Sequence, residues 1–314
     1  MRPSIQKNVS LKPFTTLKSG GMAEMFVVAR NHDELLDTVL WAQAENLPTT
    51  ILGYGSNVLP SDDGVPGLTI LNRAQSIQIE RNVIVLADTG CAFQELFLKS
   101  VQAGLRGLEF AVGIPGSLGG ALVSNAGAYR SCVSEFLTSL EVIQNGRVDW
   151  VDPSWMKFSY RDSLLRRPDA PQAVVARVKM QLPRGDSKRS YDEAREYQRQ
   201  RIGKQPPSPS AGSFFKNVND SVLAESLETL PVSLKAASIV PAGYLIEAAG
   251  LKGLRFGGAM MGKRHANFVL NIDNASAYEI YRLTTIVKEK VYARFGVMLE
   301  EEVLYLGNWK RWKD

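Results

Sequence analysis

Apolar residues follow two periods along this chain, and the switches between them outline its elements. Residues 25–29, Met-Phe-Val-Val-Ala, read as a strand. Asn31 can cap a following helix over 32–46, where Leu35, Leu36, Val39 and Leu40 keep helical spacing. A strand over 49–52 completes a strand, helix, strand unit. Further strands are predicted over 68–71 and 83–87, then an amphipathic helix over 92–103 with Phe93, Leu96, Phe97 and Val101 on one side. Residues 140–143 and 173–182 read as strands, the second from the alternation of Val174, Ala176, Val178 and Met180. A charged helical stretch over 190–202 runs into Gln205-Pro-Pro-Ser-Pro209, the best linker in the sequence. Beyond it come an element at 213–216, a helix over 242–249, a strand over 267–272, a helix over 276–295 with Ile280, Leu283, Ile286, Val287 and Val291 apolar, and a strand over 302–306. The pattern is α+β, with no internal repeat.

Composition narrows the class. At 314 residues the chain suits about two domains of roughly 150 residues each. Apolar residues make up 45% and charged residues 22%, which is ordinary for a folded domain. No apolar run approaches the ~20 residues that would cross a bilayer, and the first residues lack the apolar core of a secretory signal. A cytoplasmic protein without membrane insertion is the expectation. The 2 cysteines, Cys91 and Cys132, and the 2 histidines, His32 and His265, form no metal-ligand or disulfide spacing, so no metal is expected. The net charge of +5 gathers at 161–167, 184–204 and 310–313. Most of that charge reads as solvated surface. A basic cleft for an anionic metabolite is the sharper reading, and no nucleic-acid motif accompanies the charge.

Two glycine-rich turns carry the strongest chemical signal: Gly53-Tyr-Gly-Ser-Asn-Val58, and Gly113-Ile-Pro-Gly-Ser-Leu-Gly-Gly-Ala121 with Asn125-Ala-Gly-Ala-Tyr129 soon after. Neither has the Lys-Ser/Thr of an ATP-type phosphate loop. Glycine allows positive φ and close approach of backbone to ligand, so a dinucleotide is the leading candidate. A nicotinamide Rossmann fold is disfavoured. Val58 replaces the third glycine of that fingerprint, and residues 60–67, with Pro60, Gly64, Pro66 and Gly67, cannot form the helix it requires.

Four other strings set polar residues beside glycine or apolar neighbours: those around Arg161, Ser213, His265 and Glu302. Each alone has a plain explanation, as a surface ion pair, a turn residue, a structural histidine and an exposed strand position. Together with the glycine turns they make a pattern. Thr15-Thr-Leu-Lys-Ser-Gly-Gly21, both glycine turns, Asn125-Ala-Gly-Ala-Tyr129, Tyr160-Arg161, Ala211-Gly-Ser-Phe-Phe-Lys-Asn217, Gly243-Tyr-Leu-Ile-Glu247 with Gly250-Leu-Lys-Gly253, and Leu299-Glu-Glu-Glu-Val303 appear in order. Across nearly its whole length the chain resembles the UDP-N-acetylenolpyruvoylglucosamine reductases, the MurB enzymes of peptidoglycan synthesis.

That resemblance implies an FAD-binding fold of the vanillyl-alcohol oxidase (PCMH) type. Its two α+β subdomains would span 1–71 and 72–204, with an FAD domain of about 17–183, an α+β substrate-binding domain at 205–303 and a tail at 304–314. NADPH would reduce bound FAD, and flavin N5 would pass hydride to the enolpyruvyl ether of UDP-N-acetylglucosamine enolpyruvate, giving UDP-N-acetylmuramate. The implied flavin contacts are Gly53, Gly55, Ser56, Asn57, Gly113, Ile114, Pro115, Gly116, Ser117, Gly119, Gly120, Asn125, Ala126 and Gly127. Arg161 and Glu302 would steady an enolate, Ser213 would protonate C2, and Arg201, Lys204 and Asn217 would bind substrate. Departures from the family pattern are Arg130, where another glycine is usual, and Tyr244, where tryptophan is common. The short interval from Arg161 to Ser213 resembles the type II form, so no tyrosine lid is assigned. A flavin oxidase of the same superfamily and a non-catalytic UDP-sugar binding protein are the alternatives, and a monomer or weak homo-oligomer is expected.

Overall fold

Alternating burial along Ala173–Gln181 places Val174, Ala176 and Val178 among buried neighbours and makes this strand the centre of a five-stranded sheet. The computed structural model describes residues 3–80, 83–203 and 205–310. The sheet runs Arg147–Val151, Leu137–Gln144, Ala173–Gln181, Ile84–Asp88, Ile77–Ile79, with every neighbouring pair antiparallel. A second sheet of the same compact unit has the order Gln6–Ser10, Met22–Ala29, Val65–Asn72, Thr49–Leu52, the first pair antiparallel and the others parallel. Between Met22–Ala29 and Thr49–Leu52 runs the helix His32–Ala44, capped by Asn31, whose side chain accepts from the Glu34 amide. Its Leu35, Val39 and Ala42 pack in one cluster with Val27, Leu68 and Ile70 of the mostly parallel sheet and with Ile143, Val174 and Ala176 of the antiparallel one. One helix thus fills the space against both sheets.

Chain order alone does not set which unit a residue joins. The first unit comprises the chain up to Ser10, Met22–Gly55 and Gly64–Gly203, and the second Leu11–Gly21, Ser56–Asp63 and the chain from Gln205 onward. The second unit is built on a sheet with the order Ser210–Ser213, Phe268–Asn271, Ala259–Met261, Arg255–Phe256. Ile280, Leu283, Val287 and Val291 of the helix Ala277–Phe295 lie in its core with Leu245 and Ile246 of the helix Ala242–Ala248. A capping box opens the long helix at Ser276, and Gly296 at φ 69 closes it in the left-handed region. The segment Leu304–Leu306, inside what the sequence sets apart as a tail, is a strand paired in parallel with Val58–Pro60.

Elements absent from the sequence reading have physical reasons for their silence. The strand Gln6–Ser10 is exposed over its first three positions, so no alternation marks it. The six-residue helix Leu118–Val123 hides inside the glycine tract because Ser117 caps it, accepting from the Gly120 amide.

A buried charge cluster joins the helix His32–Ala44 to the antiparallel sheet. Glu141, only 5% exposed at its side chain, takes a two-pronged contact from Arg177 at 2.6 and 2.9 Å and a bond from His32 Nε2 at 2.6 Å. Burial alone would raise the Glu141 carboxyl, but the bonds from Arg177 and His32 outweigh it and hold the group below its ordinary range. Glu141→Gln keeps the shape and removes the charge, and should lower stability by about 2 kcal/mol at neutral pH, as read by urea unfolding. A depressed carboxylate stabilises the fold fully above the ordinary value of 4.5, and that contribution disappears as pH falls through the lower folded value. The gap between wild type and variant should therefore close on acidification; a gap that stayed constant would remove the ion cluster from this role.

Candidate functional site

The two glycine tracts of the first unit meet directly. A Cβ on Gly53 would stand 2.2 Å from Ser117 Oγ, and one on Gly119 would lie 3.1 Å from the Thr89 carbonyl. The Gly119 amide donates to that same carbonyl at 2.7 Å, the Leu118 amide to Cys91 O, and the Gly120 amide to Ser117 Oγ. These three N–H groups are spent on packing the short helix, so any phosphate bound here draws on other donors. Left-handed backbone occurs at Gly55 (φ 62), Gly113 (φ 71) and Gly116 (φ 137), where glycine avoids the Cβ clash. Arg73, which the sequence reading missed, fixes the first turn: its Nη1 donates to the Gly53 carbonyl at 2.9 Å, and its guanidinium lies 4.7 Å from the Tyr54 ring centre. Burial pulls its pKa down. Burial pushes the Cys91 thiol up to about 12, which rules it out as a nucleophile at neutral pH.

Residues 125–132 turn back as a tight hairpin. Gly127 pairs with Cys132 and Ala128 with Ser131, leaving Tyr129 (φ 53) and Arg130 (φ 67) at the tip, both left-handed. Two left-handed central residues define a type I′ turn, which favours glycine at its second place. Arg130, at that second place, therefore bears a backbone penalty. Gly127 itself admits no side chain, because a Cβ would sit 2.4 Å from the Ser131 carbonyl. Asn125, also left-handed at φ 42, donates through Nδ2 to Ser159 O at 3.0 Å. Its Oδ1 is buried with no hydrogen-bond partner among the described residues.

Arg161 occupies the tip of a second two-residue turn, closed by the Ser159 and Asp162 amides donating to each other's carbonyls at 3.1 and 3.3 Å. With φ at 53, it is another strained position where only a special requirement keeps a bulky residue. Its Nη2 donates to the Gly127 carbonyl at 2.6 Å. Arg201, on the helix Ser187–Ile202, donates to Phe110 O at 3.2 Å, and its buried Nε has no partner among the described residues. Burial, with a smaller contribution from the like charge of Arg161, pulls the Arg201 pKa down despite the help of Tyr129. The like charges of Arg161 and Arg201 thus act on each other in a partly buried place. A cavity of about 250 Å³ in this unit, bordered by Arg106, Glu109, Phe110, Tyr129, Arg189 and Tyr197, also went unread in the sequence.

In the second unit, Ser213 ends the strand Ser210–Ser213 opposite Phe268, just past a register shift where Gly212 takes φ 78. The bulge re-aims the serine at the strand end. The next residue, Phe214, accepts from the Glu302 amide at 2.7 Å, and the Glu302 carbonyl accepts from Asn57 Nδ2 at 3.0 Å. Ser213 and Glu302 are thus on adjoining backbone segments, with Asn57 pinning the second. Asn267 braces the first: its Oδ1 accepts from the Phe215 amide at 3.0 Å and its Nδ2 donates to Phe215 O at 2.8 Å. Asn217 is exposed, and its Oδ1 meets the Ala242 amide at the start of the helix Ala242–Ala248 at 3.3 Å. His265 packs its ring on Phe268 and accepts from the Asn267 amide, a structural arrangement. Of the residues expected to hold flavin, Gly53, Gly55 and the tract 113–127 lie in the first unit, and Ser56 and Asn57 in the second. Arg161 and Arg201 belong to the first unit, Ser213 and Glu302 to the second. Lys204 lies outside the described residues. Among these residues no group of three or more His, Cys, Asp or Glu could hold a metal ion, and no helix is long and apolar enough to cross a membrane.

Known proteins resemble this chain over nearly its full length. Residues 204–306 match the profile of the UDP-N-acetylenolpyruvoylglucosamine reductase C-terminal domain, and residues 23–150 that of an FAD binding domain. A UDP-N-acetylenolpyruvoylglucosamine reductase of Synechococcus sp. is 38% identical over 307 residues, covering 97% of this chain and 92% of the relative. That of Acaryochloris marina is also 38% identical, over 96% of this chain and 93% of its own. The crystal structure of the Thermus caldophilus reductase superposes with a TM-score of 0.76 at 31% identity, covering 98% of this chain and 99% of that one.

The Arg130 backbone supplies a test of the hairpin geometry. Arg130→Gly removes a left-handed penalty of roughly 1–2 kcal/mol, partly offset by the greater freedom of glycine in the unfolded chain. Thermal unfolding should show the variant as stable as wild type or slightly more so; a clear loss would mean that the arginine side chain makes contacts that outweigh the strain.

Proposed function

The chain belongs to the UDP-N-acetylenolpyruvoylglucosamine reductase family, and on that premise we propose that Arg161, Ser213 and Glu302 carry its chemistry. The protein is an FAD-dependent, NADPH-using oxidoreductase of peptidoglycan precursor synthesis, reducing UDP-N-acetylglucosamine enolpyruvate to UDP-N-acetylmuramate. We place it in the cytoplasm, as a monomer or weak homo-oligomer, with 1–71 and 72–204 as its flavin-binding halves and 205–303 as its substrate domain. The residues present fit the cofactor. Asn125 Oδ1 is a buried acceptor in want of a donor, and left-handed backbone at Gly55, Gly113 and Gly116 is the conformation that lets main chain come close to a ligand. When bound, FAD reduced by NADPH supplies hydride from N5 to the terminal vinyl carbon.

The protein's own task is to manage the charge and the proton that follow. Negative charge collects on the adjacent carbon and spreads into the carboxylate, and the Arg161 guanidinium is the group to meet it. Glu302 assists in a protonated or proton-sharing form, because a bare carboxylate would repel the enolate. The Ser213 hydroxyl gives its proton to C2. A serine is a weak acid in water, but a carbanion-like centre is a strong enough base to take that proton. Arg201, Lys204 and Asn217 hold the substrate, the arginine and lysine facing its diphosphate. The observation that supports this reading most directly is the bond from the Glu302 amide to Phe214: residues 89 positions apart, by 302 minus 213, come to adjoining strand ends, as a proton donor and its helper require.

Ser213→Ala separates the two half-reactions. NADPH should still bleach the flavin at near the wild-type rate, while reoxidation by the enolpyruvyl sugar nucleotide should slow by about 10²- to 10⁴-fold. Stopped-flow absorbance follows both steps. Equal losses in the two would take the proton-donor role away from Ser213.

A further inference from the structure

Arg201 is held by an aromatic residue from elsewhere in the fold. Tyr129, at the tip of the hairpin 125–132, stacks on Tyr197 with ring centres 3.7 Å apart and planes within 7°. The same Tyr129 ring lies 5.6 Å from the Arg201 guanidinium carbon. Tyr197 and Arg201 are four residues apart on the helix Ser187–Ile202, hence neighbours on one helix face. The ring of Tyr129 docks onto that face. Two further bonds stiffen the arrangement: Tyr129 Oη donates to the Tyr197 carbonyl at 3.3 Å, and Tyr197 Oη donates to Glu193 at 2.6 Å.

The hairpin that carries Tyr129 also carries the Gly127 carbonyl that receives Arg161. Both guanidiniums are therefore referenced to one short loop. Both left-handed tip residues serve this end, since the φ of 53 at Tyr129 is what a type I′ tip imposes. Arg201 needs such support. Its Nε is buried without a partner among the described residues, and its Nη2 reaches Phe110 O at 3.2 Å, so a flexible side chain would otherwise lose several rotamers of freedom on meeting a ligand. Stacking against a π face is a known way to hold a guanidinium in plane.

We propose that Tyr129 is a positioning residue that fixes Arg201 for the diphosphate of the sugar nucleotide, so that the hairpin tip sets substrate affinity without touching the substrate. The proposal rests on the reading of Arg201 as a diphosphate ligand. It is distinct from a role for Tyr129 as a ligand contact in its own right, and from a purely structural role for the hairpin.

A double-mutant cycle on the flavin-loaded enzyme tests it, with UDP as the binding probe and KM and kcat measured alongside. Tyr129→Ala should weaken UDP binding and raise KM for the enolpyruvyl substrate by about tenfold, with kcat changed by less than about threefold and the bound-flavin spectrum unaltered. Tyr129→Phe, which keeps the π face and loses only the hydroxyl's bonds, should stay within about threefold of wild type. In an Arg201→Ala background, Tyr129→Ala should add almost nothing. If the tyrosine variant still costs its full tenfold there, the ring acts on the ligand directly and the proposal fails. If Tyr129→Ala lowers kcat and flavin retention along with affinity, the role is structural and the proposal also fails. Where Tyr129→Ala does not fold, Tyr129→Leu supplies the same reading with apolar bulk and no π face; wild-type UDP affinity in that variant overturns the proposal. An Arg201→Ala enzyme with unchanged UDP affinity would instead overturn the diphosphate reading itself.

Discussion

The contact between the two glycine tracts constrains the turns of the first unit. Backbone at Gly53 comes so near Ser117 that a single methyl group would overlap the hydroxyl, and that hydroxyl is already occupied as the cap of the helix Leu118–Val123. Arg73 binds the Gly53 carbonyl from the other direction. Removing any one of the three loosens the other two, because the cap, the glycine and the arginine share one small volume.

The polar chemistry is arranged by backbone as well. Arg161 reaches the Gly127 carbonyl, Asn57 the Glu302 carbonyl, and the Glu302 amide the Phe214 carbonyl. Main-chain acceptors do not change rotamer, so the Arg161 and Asn57 side chains bonded to them are held in place. Left-handed conformations at Asn125, Tyr129, Arg130 and Arg161 are the strain that accompanies this, concentrated on the hairpin and the turn joined by the Arg161 bond to Gly127.

Long periodic elements were legible in the sequence. Alternation found the strand Ala173–Gln181, helical spacing with the Asn31 cap found His32–Ala44, and helical spacing alone found Ala277–Phe295. The motif residues Gly53, Gly113, Arg161, Ser213 and Glu302 were legible through resemblance, since no period marks a two-residue turn. What stayed hidden depends on partners distant in the chain. Arg73 reads as one more basic residue until the Gly53 carbonyl is beside it. Tyr129 reads as the end of a motif until Tyr197 and Arg201 rise on the same helix face. The hairpin at 125–132 has only two paired residues on each side, too few for any pattern of burial to show.

The parallel pair Val58–Pro60 and Leu304–Leu306 bears on how the molecule comes into being. Leu59 lies fully buried in the core of the second unit, yet its strand leaves the ribosome far ahead of its mate; Asn57 and its partner Glu302 are separated by 245 positions. During synthesis that apolar strand waits with an unpaired edge, the kind of surface chaperones shelter and aggregates recruit. A nascent chain stopped before Leu304–Leu306 would lack the second unit's closing seam, so that unit is completed only when its C-terminal strand has been made.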